Sequence, residues 1–378
     1  MKNFSRFFWK IIIYSSTFIL IAFSNYSFSK ILTDSAKADS TKYKNTFIFL
    51  PAVGYTPNTS WFFGISGNYL FKFKGQDSTT RTSNYNPLFI YTLEKQIIIW
   101  NDYTLFFNKE KYILSGDIAF MSYPQVYYGI GNNTPKENKE DVSYSEFFFR
   151  QIVSKKVASH LFAKIGYDYY NMFKVEREEN GLLDLLERPV GYDGGTASGI
   201  ILGAGIDSRN NILNSKEGIF LKLTGYFYLP MLGSNFSFQN YKLDFRKYIK
   251  PFKNREDVLA FQGYGILNFG ETPFNKLAKL GGEMIMRGYY EGRYRDNHLL
   301  AFQTEYRLHV WKRIGMVCFA GLGDVANKTN RFNTNDIKYS YGLGLRFKMI
   351  KKEDLNIRID YGITQTSGNF YLSISEAF

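Results

Sequence analysis

Leu300-Ala301-Phe302-Gln303-Thr304-Glu305-Tyr306-Arg307-Leu308-His309-Val310 puts Leu300, Phe302, Tyr306, Leu308 and Val310 on one parity, and Gln303, Glu305, Arg307 and His309 on the other. Successive side chains of a β-strand point to opposite faces, so the segment reads as a strand with one apolar and one charged face. The pattern recurs in 355–363, where Leu355, Ile357, Ile359, Tyr361 and Ile363 oppose Asn356, Arg358 and Asp360. It recurs in 339–349, where Tyr341, Leu343, Leu345, Phe347 and Met349 oppose Ser340, Gly342, Gly344, Arg346 and Lys348. In 219–228, Ile219, Leu221, Leu223 and Phe227 oppose Lys222 and Thr224.

Alternation alone also fits a soluble sandwich. Here the aromatic residues crowd one face, charge sits on the other, and long strands follow one another without helices between them. The chain has 378 residues, of which 19% are aromatic and 21% charged, and its formal net charge is +13. Aromatic and β-branched residues are too plentiful for a disordered chain. A mean hydropathy of −0.26 does not fit a helical membrane protein. A single cysteine, Cys318, allows neither an internal disulfide framework nor a multi-cysteine zinc site.

Parity and turn residues predict sixteen strands: 46–55, 59–73, 81–92, 95–107, 110–121, 142–153, 157–170, 197–207, 217–228, 235–248, 255–270, 296–311, 313–323, 337–349, 353–363 and 369–378. The long connections, 122–141, 171–196, 271–295 and 324–336, all fall at one end. They are the third, fourth, sixth and seventh outer loops. Asn108-Lys109, Ser154-Lys155-Lys156 and Lys312 make short turns at the other end. An even strand number, short turns on one side and long loops on the other are the pattern of an outer-membrane barrel. The expected fold is therefore all-β: a 16-stranded antiparallel transmembrane β-barrel over 46–378. Phe378, sharing a face with Phe370, Leu372 and Ile374, is expected to end a closing strand that pairs with the first. Pro51 removes a ladder donor from the first strand and predicts a weak seam there.

Lys2, Arg6 and Lys10 precede Ile11-Ile12-Ile13-Tyr14 and Phe18-Ile19-Leu20-Ile21-Ala22-Phe23. A basic start before an apolar run shorter than a membrane-spanning helix reads as a signal peptide over 1–29. A single N-terminal anchor is the alternative. Residues 30–45 are polar and read as a short periplasmic linker.

Residues 281–290 read Gly-Gly-Glu-Met-Ile-Met-Arg-Gly-Tyr-Tyr. Met286-Arg287-Gly288-Tyr289 resembles the V/I-R-G-F/Y motif of the BamA/TamA family of outer-membrane assembly barrels, also called the bacterial surface antigen family. Asp207-Ser208-Arg209-Asn210 with Gly218 resembles that family's D-x-R-(D/N)…G turn. Phe319-Ala320-Gly321-Leu322-Gly323-Asp324-Val325 resembles its F-x-D-x-G-x-V strand. Gly342 to Phe347 and Arg358 to Gly362 resemble its closing strands. The likeness is good over about 200–378 and architectural before that.

The resemblance implies that Arg287, Gly288 and Tyr289 belong to a sixth outer loop folded into the barrel. It implies a role in outer-membrane protein insertion or translocation through a weak strand seam. Gly321 stands where the family has a strand aspartate, which leaves Glu305, on the inward parity, as the expected partner of Arg287. Family members that act on proteins carry periplasmic POTRA modules before the barrel. Residues 30–45 are too few for one, so the chain is expected to lack POTRA modules. A passive plugged pore or a structural surface protein is the alternative function. Expected partners are outer-membrane lipid and lipopolysaccharide, with client outer-membrane proteins or a separate periplasmic module.

Other constellations carry less. His160 next to Ser159 lacks a hydrolase geometry, since strand neighbours point apart. His298 and His309 show no ligand spacing, and Cys318 reads as a lipid-facing or packed thiol. Gly194-Gly195, Gly281-Gly282 and Gly129-Ile130-Gly131 lack the setting of a phosphate loop. Scattered basic residues without a nucleic-acid motif fit anionic headgroups better. Glu176 to Arg188 is expected to form a short helix or flap. No catalytic residue, metal site or cofactor is expected.

Overall fold

The computed structural model describes residues 45–74, 76, 80–211, 214–350 and 354–378. The expected signal peptide (1–29) and all of the expected linker except Asn45 lie outside the described residues. Sixteen antiparallel strands close a barrel: β1 (Thr46–Thr56), β2 (Ser60–Phe71), β3 (Ser83–Thr92), β4 (Ile97–Phe107), β5 (Tyr112–Ser122), β6 (Glu140–Lys156), β7 (Leu161–Glu176) and β8 (Gly195–Asp207). The circuit continues with β9 (Gly218–Tyr228), β10 (Phe238–Ile249), β11 (Val258–Gly270), β12 (His298–Trp311), β13 (Ile314–Ala326), β14 (Lys338–Ile350), β15 (Leu355–Thr364) and β16 (Gly368–Ile374).

The parity rule sorts inside from outside. Leu343 (58% exposed), Phe302 (51%) and Leu345 (51%) face outward, whereas Glu305, Arg358 and Asp360 on the opposite parity are fully buried in the lumen. An apolar exterior is what a barrel in lipid requires, and closure satisfies the backbone groups that lipid cannot. The short turns use left-handed backbone, as at Asn108, Lys109 and Lys312 (φ 49°, 54° and 47°).

One junction differs from the others. β1 pairs with β2 along its whole length, from Thr46–Leu70 to Thr56–Ser60, but meets β16 in register only at Tyr55–Leu372. The cause lies in β16. Its ladder stops at Ile374 instead of running to Phe378, and Ser375 takes a left-handed φ of 63°. The last residues then turn into the lumen. Glu376 accepts from Arg346 Nε and Asn356 Nδ2, both at 2.7 Å. Phe378 packs with Tyr248, Val258 and Ala260, on β10 and β11. The expectation that Phe378 closes the barrel as a strand residue is thereby corrected. A buried carboxylate held by arginine draws the chain off the ladder.

Two further expectations change locally. His160 lies in the exposed turn before β7, not on a strand. The Glu176–Arg188 stretch contains one six-residue π-helical turn, Leu182–Glu187. Leu183 of that turn joins Tyr127, Tyr144, Tyr170, Phe236 and Phe274 in an apolar cluster. Cys318 is exposed on the outer wall.

Candidate functional site

The sixth outer loop, between β11 and β12, enters the lumen. Its short strands Ala278–Leu280 and Tyr294–Asp296 pair with each other and frame the segment 281–293. Met286 adopts a left-handed φ of 55° and Gly288 a φ of 111°, so the tip makes a tight bend. Gly288 has to be glycine for a second reason. A Cβ there would come within 2.6 Å of Thr364 Cγ2 and 2.9 Å of the Gly362 carbonyl carbon. Gly362 is the mirror case, since its Cβ would lie 2.6 Å from the Arg287 carbonyl. The loop backbone thus rests directly on the backbone of β15.

Side chains from the wall then fix the tip. Tyr371 Oη accepts from Gly288 N at 2.9 Å and donates to the Tyr289 carbonyl at 3.2 Å. The Gly288 carbonyl accepts from Ser367 Oγ (2.8 Å) and Asn369 Nδ2 (2.6 Å). Tyr289 is fully buried, and its hydroxyl donates to the Tyr339 carbonyl at 3.2 Å. Gln303 donates to the Met284 carbonyl at 2.7 Å. At Gly321 a Cβ would sit 2.9 Å from Met286 Sδ, so the glycine gives the methionine its seat.

Arg287 is 1% exposed, and its guanidinium lies 3.7 Å above the Phe319 ring centre. One terminal nitrogen bonds Glu305 on β12 and the other bonds Asp360 on β15. The structure therefore brings Arg287 and Glu305 together, and adds Asp360. Glu305 also accepts from Arg307 Nε at 2.8 Å. Asp360 pairs with Arg346 at close range and approaches Arg358 Nε at 3.7 Å. Glu376 joins through Arg346, and Glu283 of the loop reaches Arg358 at 3.3 Å. Arg307 also donates to the Phe378 carbonyl at 2.7 Å.

Four arginines (Arg287, Arg307, Arg346, Arg358) and four carboxylates (Glu283, Glu305, Asp360, Glu376) thus form one network. Planar guanidinium groups can bridge two carboxylates each, which lysine cannot do with fixed geometry. The four positive and four negative charges balance within the network, which offsets the cost of taking them out of water. Chemically the arrangement is a clamp: it has no nucleophile–base pair, and no metal-ligating cluster occurs among the described residues.

Residue parity already aimed Asp360 and Arg358 inward with Asn356. Their meeting with Arg287 was not legible, because it depends on which loop returns to which strand. Glu376 and Phe378 were hidden by the assumption of a straight last strand. The Asp207–Gly218 turn is stapled within itself. Arg209 Nε and a terminal nitrogen bond Asp207 at 2.9 and 2.8 Å, and a Cβ on Gly218 would meet the Ser208 carbonyl at 2.4 Å.

A family model described as the Omp85 superfamily domain matches residues 101–378. Among solved structures, BamA from Haemophilus ducreyi lacking POTRA domains 1–3 superposes with a TM-score of 0.61 at 16% identity, over 88% of this chain and 71% of that one. CdiB from Acinetobacter baumannii gives 0.57 at 12% identity, over 89% and 60%. CdiB from Escherichia coli gives 0.59 at 9% identity, over 89% and 63%. The chain thus spans less than two thirds of either CdiB. At these identities the likeness is one of fold. No curated protein sequence matches the chain.

Proposed function

The chain belongs to the Omp85 superfamily of outer-membrane assembly and translocation barrels, and from that premise we propose that it handles client polypeptides through the junction of β1 and β16. It is a protein of the bacterial outer membrane. The observation that carries the reading is the single in-register pair at that junction, Tyr55–Leu372. A strand edge with unpaired backbone groups is a template for an incoming strand, and elsewhere in the barrel such groups are taken. The inward turn at Ser375 keeps the end of β16 from covering β1.

In this reading the clamp around Arg287 has a separate task. It fastens the sixth loop to β12 and β15, so that the wall beside the seam stays rigid while the seam itself is free to open. Client outer-membrane proteins are the proposed substrates and lipid the surroundings. A periplasmic module supplied by another chain is the proposed recruiter. The chain is proposed to act without chemistry of its own.

Continuing the Tyr55–Leu372 register sets Val53 opposite Ile374. A V53C/I374C disulfide in a C318A background should abolish accelerated insertion of a second barrel into liposomes, and reduction should restore it. Full insertion activity in the oxidised protein would overturn the proposal. A large conductance rise on deleting 283–292, with no insertion activity in any form, would favour a plugged pore instead.

A further inference from the structure

The lumen wall away from the clamp carries several lysines, and none of their amines is locked in an ion pair among the described residues. Arg150 (β6), Lys164 (β7), Lys222 (β9) and Lys242 (β10) share the inward parity of their strands, and Lys276 enters from the sixth loop. Arg150 is neutralised by Asp168 at 2.6 Å, with Asp117 at 3.8 Å. Asp244 lies opposite Lys222 in the register, but it is taken by Arg246 (2.6 Å) and Gln262 (2.8 Å). Among the described residues, no carboxylate forms an ion pair with Lys164, Lys222, Lys242, Lys276 or Lys279.

Backbone choices bring these amines together. A Cβ on Gly203 would lie 2.4 Å from Lys164 Cε, so the missing side chain lets Lys164 cross β8 toward β9. There its amine sits beside that of Lys222. Thr224, two residues further along β9, is the register partner of Lys242. The amines therefore climb from the periplasmic end of the wall toward the underside of the loop.

At the top of this stripe is a cavity of about 410 Å³ between wall and loop. Arg150, Lys242, Lys276 and Lys279 supply its positive charge, Glu283 and Glu291 on the loop side supply negative charge, and Asn240 and Tyr264 supply neutral polar groups, so cations outnumber carboxylates in the lining. Lys276 reaches back over the Tyr170 ring, 3.5 Å from its centre, and Lys242 lies 5.4 Å from the Tyr226 centre. Burial pushes the Lys276 amine down to about 8, against the pull of Asp168 and Glu146 and with the help of Arg150. An anion among these groups would reverse that cost.

We propose that this chamber binds a phosphate-bearing anion between Lys242 of the wall and Lys276 of the loop, so that occupancy ties the sixth loop to the wall opposite its arginine clamp. Lysine is a compact point charge that suits phosphate from several directions. The volume matches a headgroup or a free phosphate and is small for a peptide. A phosphate ester of a lipid headgroup and soluble phosphate share this chemistry. The site does not depend on the seam reading, because occupancy is read directly.

The test uses the full chain in detergent, at ionic strength held constant with chloride. Calorimetry is run with inorganic phosphate, with glycerol 3-phosphate as the headgroup ester, and with an acidic peptide. Binding of either phosphate above the chloride control is expected, and the tighter one identifies the source. K242Q/K276Q should weaken it at least about tenfold, while K242R/K276R should stay within about threefold.

In the wild type, phosphate should also protect Lys242 and Lys276, but not the exposed Lys95, from an amine-reactive label read by mass spectrometry. This arm stands even where the double variant does not fold. Absence of phosphate binding in the wild type, equal affinity in a folded K242Q/K276Q, or an acidic peptide binding tenfold tighter than both phosphates would each overturn the proposal.

Discussion

Two halves of one lumen obey the same parity rule and end differently. Where β12 to β15 face the sixth loop, four arginines meet four carboxylates, and water is driven out until Arg287, Glu305, Arg358 and Asp360 are essentially inaccessible. Along β7, β9 and β10 the inward Asp168 and Asp244 are bound to Arg150 and Arg246, and the inward Lys164, Lys222 and Lys242 form no ion pair among the described residues. The first half is closed by its own charges and the second is left open to an outside anion. An alternating strand therefore guarantees a polar interior but not its use. Whether the polar residues become a lock or a chamber is set by arginine against lysine and by the supply of carboxylates.

Substitutions should separate the halves by size of effect. The largest change is expected at the clamp. E305A or D360A leaves buried guanidinium charge uncompensated and should cost about 3–5 kcal/mol, read as a fall in the urea midpoint and in heat resistance on semi-native gels. The exchange R287E/E305R should not rescue folding, because it sets a carboxylate against Asp360. Recovery to wild-type stability would show that Asp360 does not share Arg287.

A smaller loss is expected at the loop tip. G288A places a Cβ at positive φ against Gly362 and Thr364, and should cost about 1–3 kcal/mol. It should expose 281–293 to protease while leaving the barrel intact. Unchanged protease resistance would mean that the loop does not rest on β15. The smallest effect belongs to the basic wall. K164Q/K222Q removes two adjacent like charges and should shift stability by no more than about 0.5 kcal/mol. In planar bilayers the same variant should move ion selectivity toward cations. A stability loss as large as that of D360A would erase the distinction between the halves.

Much of the barrel was legible because one signal repeats through it. Leu300 to Val310 needs no partner to reveal its parity, and the loop lengths follow from where parity breaks. Arg287 and Glu305 were legible as a pair because the resemblance supplied the loop and parity supplied the carboxylate. Asp360, Arg346 and Glu376 were not, since strands far apart in sequence meet only through the circuit of the barrel and the return of the loop. The turn at Ser375 was hidden for a related reason. Phe370, Leu372, Ile374 and Phe378 keep one parity on paper, and only the pull of Arg346 on Glu376 takes the chain off it. The basic chamber was visible from sequence only as excess charge, because parity does not say which carboxylates are already taken.

The central claim is that the sixth loop is held inside the lumen by Arg287. The most direct measurement is labelling of Y289C, in a C318A background, by a membrane-impermeant thiol reagent on intact membranes. The cysteine should stay unlabelled beside clamped Arg287 and become reactive when R287A is added. Labelling of Y289C alone as fast as a cysteine placed at the exposed Asn330 would contradict the account.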